Sequence, residues 1–181
     1  VRMVFEYFQL EPLSISLNSD AYSQGSGLAS SSSYIISLIK AISNFKKIEM
    51  TPIEICNLAY KLELKFNPYC GYQDPYGCGI GGLKRIEFFR NNTIKFDFLE
   101  TTLFEYYDAH LIFTGITRNS KNILADVSRN IEKTKPLLKT LEKAYIEFKN
   151  GNYENFLELI NKSWIQKKET SNIISSNSII N

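Results

Sequence analysis

Residues 25–42 read GSGLASSSSYIISLIKAI and join a loop of small and hydroxylated residues directly to an apolar helix. The apolar residues of the second half recur at spacings of three and four, which places them on one helical face. They are Ile35, Leu38, Ile39 and Ile42. A helix start leaves about four backbone N–H groups without helical acceptors and carries the positive end of the helix dipole. The glycines and serines in front of this start therefore predict a loop that holds phosphate, with a serine-rich helix cap as the alternative.

The length, composition and net charge are those of an ordinary globular protein. The chain has 181 residues, 44% hydrophobic and 22% charged, with a net charge of +2. That small charge and the lack of a long basic run argue against nucleic acid as a partner. The sequence contains no stretch of about 18 consecutive apolar residues, so it predicts no membrane span. Three cysteines without paired spacing and a single histidine, His110, argue against a disulfide framework or a zinc site and predict a reducing cytoplasm.

Local patterns predict the order of elements along the chain. Residues 13–18 alternate like a half-buried strand, and Thr51, Pro52 and Glu54 form the capping box of a helix. The apolar stripe of that helix is predicted at Ile53, Cys56, Tyr60 and Leu64. Further strands are predicted at 83–89, 93–99 and 109–115, with Asn91 and Asn92 as the turn between the first two.

The last third of the chain has a helical pattern from about residue 119. A break is predicted at Pro136, a helix end at Gly151 and a helix start at Asn152. The buried stripes are predicted at Ile123, Leu124, Val127 and Ile131, then at Leu137, Leu138, Leu141, Tyr145 and Phe148, and finally at Tyr153, Phe156, Ile160 and Trp164. The tail after about 170 is expected to be poorly ordered. Because helices are segregated from strands, the predicted class is α+β.

Two carboxylates are candidates for chemistry. Asp74 lies in the glycine-rich stretch NPYCGYQDPYGCGIGG at 67–82, where it can accept a proton from a sugar hydroxyl. Glu63 lies eleven residues earlier, and a carboxylate with a serine hydroxyl suits Mg(II) beside nucleotide phosphates. The alternatives are a turn residue before Pro75 for Asp74 and a solvated helix charge for Glu63.

Taken together, these stretches resemble the GHMP kinases, the superfamily of galactokinase, homoserine kinase and mevalonate kinase. Residues 25–42 resemble the family's phosphate loop and following helix. GYQDPYGCGIGGLKRIEF at 71–88 resembles its catalytic loop, most closely that of D-glycero-D-manno-heptose 7-phosphate kinases. LIFTGITRNSKNIL at 111–124 and NKSWIQKK at 161–168 are similar to later segments of the same group, so the resemblance covers nearly the whole chain in order.

The resemblance implies a role for each matching position. The ATP phosphates are held by Gly25, Ser26, Gly27, Leu28, Ala29, Ser30, Ser31 and Ser32. Mg(II) is held by Ser31 and Glu63, and Asp74 is the base or orienting group for the attacking sugar hydroxyl. The phosphorylated sugar is contacted by Gly71, Gln73, Thr114, Gly115 and Arg118. Arg118 suits the anionic 7-phosphate, because a guanidinium forms paired hydrogen bonds with phosphate oxygens.

The resemblance also implies a GHMP-kinase fold of α+β type. Its N-terminal part is like the second domain of a small-subunit ribosomal protein, and its C-terminal part is helix-rich and ferredoxin-like. Residues 1–104 are expected to be the end of the N-terminal, ATP-binding domain, and residues 105–181 the beginning of the C-terminal domain. The family's basic N-terminal segment and glycine-rich C-terminal loop have no match here, so we expect a central fragment, truncated at both ends and a poor catalyst.

Departures from the family pattern leave alternatives open. Ala29 stands where the family has a glycine and costs about 1 kcal/mol if its φ is positive. Pro75 replaces the usual Gln after the catalytic Asp, and Ser23-Gln24 replaces Pro-Pro. The alternatives are a kinase for a fucose- or galactose-like sugar, a non-catalytic nucleotide or sugar binder, and an α+β interaction domain whose serine loop is only a cap. A homodimer is also left open.

Overall fold

The structure is a computed structural model that describes residues 1–20, 25–115, 120–171 and 174. Its α-helices are α1 (Arg2–Phe8), α2 (Ser30–Phe45), α3 (Pro52–Leu64), α4 (Gln73–Gly79), α5 (Leu103–Tyr106), α6 (Ser120–Arg129), α7 (Lys135–Lys149) and α8 (Tyr153–Glu169). A 3-10 helix spans Ile131–Thr134, and the strands are β1 (Lys84–Phe88) and β2 (Ile94–Phe98). In the described residues, helices together with one small antiparallel sheet agree with the predicted α+β class.

The chain forms two compact units. The first comprises Val1–Gly81 and Gly115–Leu124, and the second Gly82–Thr114 and Ala125–Asn181. The first unit holds the serine loop, residues 25–33, together with α1 to α4. The predicted domain boundary near residues 100–108 stays a prediction.

The core of the first unit lies between α1, α2 and α3. The predicted apolar face of α2 is confirmed, because all four of its residues are buried: Ile35, Leu38, Ile39 and Ile42. They pack with Val4 and Phe8 of α1 and with Leu58 and Leu62 of α3. Each such side chain contributes roughly 1.5–3 kcal/mol by leaving water, so this core holds the start of α2 firmly in place.

The predicted start of α3 is confirmed. The Thr51 hydroxyl accepts from the Glu54 N–H at 3.3 Å, and Glu54 accepts from the Thr51 N–H at 2.7 Å, a complete capping box with Pro52 in the first turn. The predicted stripe is partly wrong, since Ile53 is exposed. The helix packs against both α2 and α4, which buries a broader face. That face consists of Ile55, Cys56, Leu58, Ala59, Leu62 and Glu63.

Two strand predictions are wrong. Residues 13–18 and 109–115 have no regular secondary structure, and His110 lies exposed in the second segment. A strand needs a neighbour to accept and donate its backbone hydrogen bonds. Within the described residues the one strand pair is β1 with β2. Alternation without a partner therefore forms no strand in these segments, and Leu111 and Ile112 are more than three-quarters exposed.

The predicted hairpin is confirmed in the second unit. β1 and β2 pair antiparallel, with Lys84 opposite Phe98 and Phe88 opposite Ile94. Asn92 has φ 62°, a left-handed conformation that asparagine tolerates, and the Asn91 side chain accepts from the Thr93 N–H. The two asparagines therefore make the turn that the sequence predicted.

The helices of the second unit follow the predicted boundaries more closely than the predicted faces. Pro136 lies in the first turn of α7, after the 3-10 helix, so the predicted break is confirmed. Gly151 has φ 74° at the end of α7, as a helix-ending glycine should. Asn152 precedes α8, but its side chain donates to Glu147 instead of capping the helix.

Several predicted buried positions in these helices are wrong. The exposed ones are Ile131, Leu138, Leu141, Ile160 and Trp164. Within the second unit α8 packs on α7 and the 3-10 helix, so only one side of α8 is covered. The expectation of a poorly ordered tail falls mostly on residues outside those described. Among the helices of the described residues, none is long and apolar enough to cross a membrane.

Candidate active site

The backbone of the serine loop turns through left-handed conformations at every second residue. Gly25, Gly27 and Ala29 have φ values of 68°, 80° and 52°. The first two are glycines, for which such angles cost little, but Ala29 carries a Cβ that costs about 1 kcal/mol there. Ala29, for which the resemblance implies a glycine, therefore does occupy a positive-φ position.

The start of α2 is open for an anion. The first helical hydrogen bond of α2 runs from the Ser33 N–H to the Ala29 carbonyl at 3.0 Å. The N–H groups of Ser30, Ser31 and Ser32 precede it, and the N-cap position makes no side-chain capping bond. With sixteen residues behind it, this helix directs its dipole at the loop.

Ser26 supports the same interpretation from within the loop. Its hydroxyl oxygen is buried and has no hydrogen-bond partner among the described residues. An unpaired buried hydroxyl costs roughly 1–3 kcal/mol, so native chains seldom leave one without a purpose. A phosphate oxygen in the loop would satisfy it, and the residues present therefore fit the nucleotide phosphates.

The structure brings Glu63 to the start of α2, as predicted. Its side chain is only 3% exposed, and the Ser31 hydroxyl donates to Oε1 at 2.5 Å. The Ser32 hydroxyl donates to Oε2 at 2.6 Å, and this serine is completely buried. A buried carboxylate requires such donors because burial without them is costly. The alternative of a solvated helix charge is therefore wrong for Glu63.

Cys70 is a third contact of Glu63 that the sequence did not predict. Its thiol donates to Glu63 Oε2 at 3.5 Å. The turn after α3 positions it, because the Phe66 and Asn67 N–H groups both bond back to the Glu63 carbonyl and Cys70 N–H bonds to that of Asn67. Burial, then the charge and hydrogen bond of Glu63, then the charge of Asp74 raise the Cys70 pKa to about 12.

The pair of Ser31 and Glu63 fits Mg(II) in its donor chemistry. Hard cations take oxygen ligands, and Mg(II) keeps several waters while binding one or two protein groups and phosphate oxygens. Each carboxylate oxygen can accept more than the hydrogen bonds it has here. In the described part of the chain no group of three His, Cys, Asp or Glu side chains is placed to hold a metal, so this site would need the nucleotide to complete it.

Asp74 lies on the exposed face of α4. Gln73, Asp74, Gly77 and Cys78 are exposed, whereas Pro75, Tyr76 and Gly79 are buried. Asp74 and Cys78 are four residues apart and so share one stripe of the helix. Because the Cys78 sulfur lies 4.0 Å from the Ala29 carbonyl oxygen, that stripe runs beside the serine loop.

The predicted sugar-side residues fall into three groups. Gly71 and Gln73 are exposed next to Asp74, in and just before α4. Thr114 and Gly115 are exposed at the end of segment 109–115, where Gly115 has φ 73°. Arg118 lies outside the described residues. Contact of these residues with a sugar stays a prediction.

A groove of about 590 Å³ adjoins the serine loop along α2. One wall is segment 15–19, which has no regular secondary structure, and the other is formed by α2 and Leu28. The α2 side supplies hydroxyls from Ser30, Ser33 and Ser37 and the ring of Tyr34. A cleft that combines apolar walls with a few hydroxyls suits a nucleoside next to its bound phosphates.

The comparisons with known proteins find a family similarity in the same part of the chain. Residues 1–82 match the family model of the GHMP kinases N terminal domain. These residues contain the serine loop, Glu63 and Asp74, so this part of the chain is similar to the N-terminal domain of the GHMP kinases.

Named relatives are sugar and mevalonate kinases. The chain is 30% identical to a D-glycero-alpha-D-manno-heptose 7-phosphate kinase of Campylobacter jejuni, over 95% of this chain and 54% of that protein. It is 31% identical to an L-fucokinase/L-fucose-1-P guanylyltransferase of Bacteroides fragilis, over 80% of this chain and 17% of that protein. A galactokinase of Thermotoga maritima is 24% identical over 75% of this chain and 38% of its own length. The chain thus spans about half, or less, of the relatives it matches.

Proposed function

We propose that this chain is the ATP-binding part of a kinase that phosphorylates the anomeric hydroxyl of D-glycero-D-manno-heptose 7-phosphate. The product is the 1,7-bisphosphate, a precursor of nucleotide-activated heptose for surface polysaccharide. The observation that carries the kinase proposal is the buried Glu63 held by Ser31 and Ser32 at the open start of α2. The heptose substrate rests on the similarity to the heptose kinase over nearly the whole chain.

The residues have separate tasks in this reaction. The serine loop and the first turn of α2 hold the phosphates through backbone N–H groups, and the Ser26 hydroxyl adds a donor. Ser31 and Glu63 would hold Mg(II), and the metal would supply positive charge to offset that of the phosphates. Asp74 accepts the proton of the sugar hydroxyl. The oxygen of that hydroxyl bonds to the γ-phosphorus of ATP, and the bond between the γ-phosphorus and the β,γ-bridging oxygen breaks to release ADP.

The first test compares the chain with its Asp74→Asn variant. We expect the chain to bind Mg-ATP in calorimetry and to transfer phosphate from ATP to heptose 7-phosphate at a low but measurable rate. Asp74→Asn should lower the transfer rate by about 100-fold or more, because general base catalysis contributes about 10²–10⁴-fold, while Mg-ATP affinity stays nearly unchanged. Asp126→Asn, an aspartate of α6 outside the proposed site, is the matched control.

A panel of acceptors separates the substrate from the reaction type. Fucose and galactose are included because an L-fucokinase and a galactokinase are also similar to the chain. Transfer to one of them and not to the heptose would replace the substrate but keep the kinase. Mg-ATP binding without transfer to any sugar would make the chain a nucleotide binder, and absence of both would overturn the proposal.

A further inference from the structure

The helix that carries Asp74 has little stability of its own. α4 has only seven residues, two of them glycines, and its N-cap makes no side-chain capping bond. Isolated helices shorter than about 12 residues are marginal in water, and each glycine inside one costs about 1 kcal/mol relative to alanine. The direction of the Asp74 carboxylate must therefore be set by contacts that α4 makes with its neighbours.

Tyr76 makes the deepest of these contacts. Its side chain is completely buried, and its hydroxyl donates to Asn57 Oδ1 at 2.5 Å. Burial raises the Tyr76 pKa to about 12, so the hydroxyl remains a donor at all physiological pH values. Two residues along an α-helix turn through about 200°. Burying Tyr76 against α3 therefore turns Asp74 to the opposite, open side of α4.

Two further contacts hold the ends of α4. A Cβ on Gly79 would lie 2.2 Å from the Cys56 sulfur, so only glycine lets α4 approach α3 this closely. At the other end of α4 the ring centroids of Tyr72 and Tyr60 lie 4.2 Å apart. The three contacts together define which face of α4 lies against α3.

Two of the contacting residues of α3, Cys56 and Tyr60, share a face with Glu63. Cys56, Tyr60 and Glu63 follow at spacings of four and three, and Asn57 is adjacent to Cys56. One helix thus positions the carboxylate at the start of α2 and, through Tyr76, the carboxylate on α4. Both groups belong to the first unit of the chain.

We propose that Asn57 and Tyr76 are positioning residues, whose hydrogen bond fixes the rotation of α4 and so aims Asp74 at the acceptor hydroxyl. The proposal rests on the proposed function, in which Asp74 orients or deprotonates that hydroxyl. The resemblance assigned no role to either residue. Their contribution acts through Asp74 and not by contact with the substrate.

The test uses Tyr76→Phe and Asn57→Leu, each of which removes the hydrogen bond and keeps most of the packing. We expect kcat to fall about 10- to 100-fold, since small misplacements of a reacting group have effects of that order. The KM for ATP should change less than about 2-fold, because the serine loop is untouched. The double variant should lose no more than either single variant, as expected for two partners in one bond.

Matched variants separate positioning from general stability. Asn57→Asp retains an acceptor oxygen for Tyr76 and should restore most of kcat. Tyr69→Phe removes the hydroxyl of an exposed tyrosine in the preceding loop and should leave kcat unchanged. A lower Tm with kcat unchanged in Tyr76→Phe and Asn57→Leu would make the bond merely structural and overturn the proposal.

Amide hydrogen exchange distinguishes this inference from the proposed function. If the chain transfers no phosphate to any sugar, the proposed function fails. Hydrogen exchange still tests whether the hydrogen bond between Tyr76 and Asn57 holds α4 in place. Residues 73–79 should exchange at least 10-fold faster in Tyr76→Phe and Asn57→Leu than in the unmodified chain and in Tyr69→Phe. Equal exchange in all four proteins would overturn the anchoring of α4 by this bond.

Discussion

Ala29 holds the serine loop in a conformation that its own side chain disfavours. With φ 52° and ψ 34° it lies in the left-handed region immediately before the first residue of α2. The family resemblance indicated that a glycine is usual at this position, and the structure supplies the physical reason. The open helix start is preserved at the cost of local strain.

We therefore expect Ala29→Gly to stabilise the chain. Relief of the left-handed strain exceeds the extra entropy of glycine in the unfolded chain, so the free energy of unfolding should rise by about 0.5–1 kcal/mol. Chemical denaturation measures this change in the free energy of unfolding. Ala41→Gly is the matched control, because Ala41 is an exposed position inside α2 where glycine should destabilise by about 1 kcal/mol. Destabilisation of equal size by both changes would contradict strain at Ala29.

The two thiols nearest the site should differ in reactivity. Cys78 is exposed beside the Ala29 carbonyl, whereas Cys70 is half-buried with a pKa raised to about 12. Because the thiolate is the nucleophile, a raised pKa keeps Cys70 protonated at pH 8, and its thiolate grows only as the pH approaches 12. Iodoacetamide at pH 8 should therefore modify Cys78 first.

Mass spectrometry of the modified chain checks this order and its pH dependence. Alkylation of Cys70 should still accelerate between pH 9 and pH 10, about 10-fold per pH unit for a thiol this far below its pKa. Mg-ATP should slow the alkylation of Cys78, since that thiol lies against the serine loop. Buried Cys56 serves as the internal control that reacts only on unfolding. Faster reaction of Cys70 than of Cys78 would contradict the assigned environments.

Elements with local signals were predictable, and elements that need a distant partner were not. The capping box of α3, the face of α2, the hairpin turn and the break before α7 each depend on residues within a few positions of one another. The strands predicted at 13–18 and 109–115 failed because alternation alone does not supply a neighbouring strand. The buried faces of α3 and α8 depend on which helices cover them, which periodicity does not reveal.

The candidate site divides in the same way. Family resemblance paired Ser31 with Glu63, and the structure places them in contact across 32 positions of sequence. Cys70 and the bond between Tyr76 and Asn57 carry no local pattern, because their partners lie on other elements. The tyrosine two residues after the candidate base was the one available signal, and it identifies the anchored face only once the helix and the burial of Tyr76 are known.

Glu63 connects several elements of the first unit through its hydrogen bonds. This carboxylate joins the start of α2 to the end of α3 and to the turn that precedes α4. A ligand held there should stabilise the folded chain, because binding to the native state alone raises the free energy of unfolding by mass action. That gain is about 2.7 kcal/mol at a ligand concentration 100 times Kd.

The Mg(II)-dependent part of this gain should depend on Glu63. In the unmodified chain, ATP with Mg(II) should raise Tm more than ATP with a chelator does. Glu63→Gln retains a buried polar group but removes the charge, and the loss of one serine bond should lower stability by roughly 1–3 kcal/mol without ligand. The difference between the two ligand conditions should then shrink to near zero, as measured by thermal melts. Glu158→Gln, an exposed glutamate of α8, should retain the full difference, and a full difference in Glu63→Gln would contradict Mg(II) binding at this carboxylate.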